Sequence, residues 1–105
     1  MLDDAKFMRV HKRLIHLGED SPCYALAKNE VLLNQLLCSI KDKTDSKLLE
    51  NSSLLDNEGY FKKDLQRIAI TACRENNIDV SSAKVNCLEK CISREYFAER
   101  QLGVC

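Results

Sequence analysis

Cys87 and Cys91 stand four residues apart within Ser82-Ala83-Lys84-Val85-Asn86-Cys87-Leu88-Glu89-Lys90-Cys91-Ile92, a stretch that reads as helix. On a helix this spacing puts both thiols on one face, a turn apart. Cysteines so placed pair poorly with each other and are better used to bridge outward, each to a different element. With Cys23, Cys38, Cys73 and Cys105 they make six in 105 residues, an even and dense count. That density in a short chain points to disulfides before metal ligands or buried thiols. Three disulfides are therefore expected, with the Cys87–Cys91 helix as the plate to which the rest is stapled. A hairpin of the last two long helices brings Cys73 near Cys87. Cys73 is expected to bond Cys87 or Cys91, the other of these takes Cys38 or Cys23, and Cys105 takes what remains.

The remaining pattern is helical. Asp3-Asp4 cap a first helix in which Phe7, Val10, Leu14 and Leu17 recur at helical spacing, and Gly18 stops it. Ser21-Pro22 starts a second helix running through Leu26, Leu33, Leu36, Leu37 and Ile40, with a break near Asn29. The run Lys41-Asp42-Lys43-Thr44-Asp45 then reads as a loop, and Ser46 caps a short third helix holding Leu48, Leu49 and Leu55. A fourth helix from about Tyr60 to Asn76 carries Phe61, Leu65, Ile68, Ala69, Ala72 and Cys73 on one face. Asp79 or Ser81 caps the last helix, which ends near Arg100 before the tail Gln101–Cys105. No segment alternates with period two and β-branched clusters are absent, so the fold expected is all-α. It is one domain over residues 1–105, a compact bundle of about five helices.

Composition narrows the function. A formal net charge of zero removes the electrostatic argument for nucleic acid or an anionic membrane, and no stretch is apolar for long enough to span a bilayer. No nucleophile elbow, glycine-rich phosphate loop or H-E-x-x-H occurs, and His11 and His16 diverge around their helix. Cys87 and Cys91 with two other ligands could form a tetrahedral zinc site, but nothing in the sequence specifies one, and a structural disulfide is favoured. An EF-hand register on Gly59 puts Leu54 and Leu65 where carboxylates are needed. Neither an enzyme nor a cofactor is expected. Asn51-Ser52-Ser53 is an N-glycosylation sequon. The segment Met1–Lys6 has no apolar signal region, so a secreted chain is expected here with Met1 in place of a removed signal.

Part of the chain resembles insect odorant-binding proteins. The match is Leu54-Leu55-Asp56-Asn57-Glu58-Gly59-Tyr60-Phe61, then a helix ending at Cys73, then Cys87, and it covers about a third of the chain. That family places its C-x3-C pair in mid-chain, whereas here Cys38 is followed four on by Asp42 and the C-x3-C is Cys87–Cys91. The resemblance implies a carrier of a small hydrophobic ligand. As a class, the chain is also similar to the small helical secreted effectors of blood-feeding arthropods, including anopheline salivary inhibitors of the anophensin type. This second resemblance implies a non-enzymatic inhibitor of a host defence cascade (complement, contact or coagulation) with an extracellular protein partner. It is the preferred expectation, and the carrier is the alternative. The local basic run at Arg9, His11, Lys12 and Arg13 is the expected partner-binding surface. Helix one, which has no cysteine, is expected to be the easiest part to displace.

Overall fold

A computed structural model describes the backbone of residues 4–104 and the side chains of residues 4–97. Helix α1 spans Ala5–Ile15, opened by Asp4, whose Oδ1 accepts the Lys6 and Phe7 amides at 2.8 and 3.4 Å. It buries Phe7, Val10 and Leu14 completely. It ends at His16, two residues before the expected Gly18 stop, and Gly18 has no left-handed φ.

The break expected near Asn29 is present. Helix α2 is the short piece Tyr24–Ala27, and α3 spans Glu30–Glu50. Asn29 causes the restart, since its Oδ1 accepts the Leu32 amide at 3.1 Å as an N-cap. The charged run Lys41–Asp45 is helix, not loop, so α3 continues to Glu50 and Ser46 caps nothing. The reason lies in residue spacing. Ile40 and Thr44 are both buried, four apart, and Thr44 Oγ1 donates to the Ile40 carbonyl at 2.7 Å. On the outer face Lys41 pairs with Asp45 at 3.0 Å. A run that is charged in sequence thus has one buried position at core spacing. Leu48 and Leu49 finish α3, and Leu54 and Leu55 belong to a 3-10 segment, Ser52–Asp56.

Helix α4 spans Glu58–Glu75 and is N-capped by Asn57, which accepts the Tyr60 amide at 3.2 Å. Its end is a Schellman-type cap. Asn77 takes a φ of 57°, Ile78 N–H donates to the Cys73 carbonyl at 2.8 Å, and the Ile78 side chain is buried. Asparagine tolerates this left-handed backbone better than other non-glycine residues. Helix α5 spans Ser82–Val104 with Ser81 as cap, its Oγ accepting the Lys84 amide at 3.1 Å. Its backbone therefore runs past the expected end at Arg100.

The fold is all-α, with five helices and no strand among the described residues. Helix α5 packs on α1 and α4, α3 packs on α4 and α1, and α2 lies on α1 and α3. Val85, Leu88, Ile92 and Tyr96 form the buried stripe of α5. Around Tyr96 the rings interlock: Phe61 at 5.1 Å and Phe7 at 6.3 Å between centroids, with Phe97 at 5.5 Å from Phe61. The described cysteines, Cys23, Cys38, Cys73, Cys87 and Cys91, are free thiols in this structure. Cys105 lies outside the described residues.

Phe61 joins α4 to α5 through two ring contacts at 2% exposure. Phe61→Ala is expected to cost about 3–5 kcal/mol in urea unfolding of the reduced protein. Tyr60→Ala, at the neighbouring exposed position, should change stability by about 0.5 kcal/mol or less.

Candidate functional site

The basic run of α1 borders a shallow, open depression lined by Arg9, Lys12, Arg13, His16 and Leu17. Arg9 and Arg13 are four apart and so share a helix face. Both reach across to Glu95 of α5, which is only 7% exposed: Arg9 Nε meets its Oε1, and an Arg13 terminal nitrogen lies 3.5 Å from its Oε2. Two of the four cations expected to bind a partner are therefore engaged inside the molecule. His11 is half-buried, and its Nε2 has no hydrogen-bond partner among the described residues. Lys12 and His16 are exposed on the rim.

Helix α1, which has no cysteine, is attached through three fully buried side chains and through two arginines on the Glu95 carboxylate. The sequence contained a signal for Glu95. It stands three residues after Ile92, at core spacing on α5, as Glu89 stands four after Val85. Glu89 is 6% exposed and accepts from Ser93 Oγ at 3.3 Å and Gln66 Nε2 at 3.5 Å, beside a second depression lined by Lys62, Lys90 and Arg94.

Cys23, Cys87 and Cys91 gather in one place, where Ser21 Oγ lies 3.9 Å from Cys87 Sγ and Cys23 Sγ lies 3.8 Å from the Lys84 carbonyl. Burial first, then the Cys87 and Cys91 thiols, push the Cys23 thiol well above its usual range. Burial and then Cys87 raise Cys91 to about 11. Cys73 is fully buried in α4 and is also raised, by burial opposed by Lys84. The path of the chain before α2 delivers Cys23, one of the two partners expected for the Cys87–Cys91 pair, to the start of α5.

Asn51 is exposed at the C-terminus of α3, and its Oδ1 accepts the Ser53 hydroxyl at 2.7 Å, so the sequon lies on an open turn. Among the described residues no group of three or more His, Cys, Asp or Glu is placed to hold a metal ion. No helix among them is long and apolar enough to cross a membrane. Compared with known proteins, the chain matches no family model, no curated protein and no solved structure.

Glu95→Ala leaves two arginines without their shared carboxylate. Because Arg9 is half exposed and can rehydrate, the loss is expected at about 1–3 kcal/mol, below that of a fully buried pair. Matched urea curves check it. The thiols predict a pH dependence. Cys91 rises from 9.0 to about 11 on folding, so above pH 9 the unfolded chain loses a proton that the folded chain keeps. Its stabilising contribution is complete below pH 9 and is lost as the pH climbs through about 11. Melting of the reduced protein should move to lower temperature across that window, and Cys91→Ser should flatten the dependence.

Proposed function

We propose that this chain is a secreted, non-enzymatic protein-binding effector, cross-linked by disulfides, that inhibits a host defence cascade of the complement, contact or coagulation type. The observation that carries the proposal is the basic surface of α1. In a chain of zero net charge, Arg9, Lys12, Arg13 and His16 converge on one surface around Leu17. Such a surface suits an acidic patch on a protein partner, which it would attract over roughly a Debye length of about 8 Å at physiological salt. The six cysteines and the exposed sequon at Asn51 support a secretory history.

The core speaks for surface recognition over carriage. Leu33, Leu36, Leu37, Ile40, Leu88 and Ile92 have no exposure, and the depressions at Glu89 and at α1 have charged rims.

Because Arg9 and Arg13 also hold Glu95, reversing them confounds binding with folding. Lys12 and His16 do not have this structural duty. The double variant Lys12→Glu, His16→Glu should keep its helicity and melting temperature while losing tenfold or more of its inhibitory potency in serum complement and clotting assays. Potency of the parent protein should also fall as salt rises. Equal potency of variant and parent rejects this surface, and no effect of the parent on any cascade rejects the function.

A further inference from the structure

Three thiols from two separate elements meet at the start of α5. The Cys23 amide donates to Ser21 Oγ at 3.1 Å, and the same oxygen lies 3.9 Å from Cys87 Sγ, so Ser21 bridges the two cysteines. Cys23 Sγ points at the Lys84 carbonyl, 3.8 Å away, one turn before Cys87. Helical side chains tilt toward the N-terminus. Cys87 therefore leans over the turn against which Cys23 rests, and Cys91 leans toward Cys87 from the turn beyond. The order along α5 is Cys23, Cys87, Cys91, and Cys87 is the nearer neighbour of Cys23.

We propose that Cys23 and Cys87 form a disulfide bond, tying the chain before α2 to α5. The step rests on the oxidised state included in the proposed function, but it is read out with no partner present, so the two fail separately. The oxidant is a small-molecule disulfide of the glutathione class. Cys87, the half-exposed thiol, loses its proton to solvent, attacks one sulfur of the oxidant and expels a thiolate, leaving a mixed disulfide. Cys23, 1% exposed and beside it, then loses its proton, attacks the Cys87 sulfur and releases the second thiolate. Two protein thiols are oxidised by two electrons, and the oxidant is reduced to two thiols. Burial of Cys23 keeps its thiol protonated at neutral pH, so closure is slow there and quickens as pH rises.

The bond has a clear mechanical role. Helix α2 is four residues long and packs on α1 and α3 among the described residues. A cross-link at Cys23 adds an attachment to α5 and closes a loop of most of the chain, the case in which restricting the unfolded state gains most.

Trypsin makes the test direct, because Lys90 separates the two α5 cysteines: Cys23 falls in Leu14–Lys28, Cys87 in Val85–Lys90 and Cys91 in Cys91–Arg94. The folded, reduced chain is equilibrated with oxidised and reduced glutathione at pH 8, quenched with acid, alkylated and digested without reductant. The expected product is Leu14–Lys28 joined to Val85–Lys90, formed equally in Cys91→Ser. In that variant, oxidation should raise the melting temperature by about 10–20 °C. Cys23 recovered alkylated, or bridged to Cys38, Cys73, Cys91 or Cys105, overturns the proposal. A joined pair that leaves the melting temperature unchanged overturns the tie between α2 and α5.

Discussion

Burial of the α5 stripe is the constraint on which the rest of this molecule depends. Val85, Leu88, Ile92 and Tyr96 recur at helical spacing, and no single neighbour covers them all. Helix α4 covers one side through Phe61 and α1 the other through Phe7, both meeting at the Tyr96 ring. Helix α3 then closes the bundle against α4 and α1. Removing a large apolar side chain from such a centre costs both its transfer energy and the void left behind. Disulfides would add to the packing of this centre.

Two carboxylates interrupt that apolar stripe. Glu95 is held by Arg9 and Arg13, whereas Glu89 accepts from the neutral Ser93 and Gln66. A buried charge is tolerated when it is paired and hydrogen-bonded, and the α1 arginines do this for Glu95. The same arginines border the open depression on their other side. One pair of side chains thus joins the packing of α1 to the surface proposed to meet a partner. Binding there is expected to depend on α1 being docked, which sets this surface apart from a loop that orders on contact.

Much of the helical plan was legible in the chain because its signals are local. Asp4, Asn29, Asn57 and Ser81 are short polar residues immediately before apolar-periodic runs, and each is an N-cap by its own side chain. The Lys41–Asp45 run differs from its loop-like appearance for an equally local reason. Its charge masked Thr44, a polar residue that satisfies its hydroxyl on the Ile40 carbonyl and so can occupy a core position. The basic run on α1 was visible as a run, but the destination of Arg9 and Arg13 was not, because Glu95 is 86 residues from Arg9.

The sequence by itself determined that the chain is helical, where most of its helices begin, and which face of each is apolar. These follow from residue spacing and capping, which act within a few positions. Only the tertiary structure decided which cysteines meet. Cys87 and Cys91 do share one face of one helix, as their spacing demands, and of the two partners expected for that pair, Cys38 and Cys23, it is Cys23 that lies beside them. The reason is that the segment Ser21–Cys23 crosses the start of α5, bridged there by the Ser21 hydroxyl. No local periodicity encodes that crossing. It emerges only when α1, α2 and α3 have packed, since their packing sets where the short chain before α2 must run.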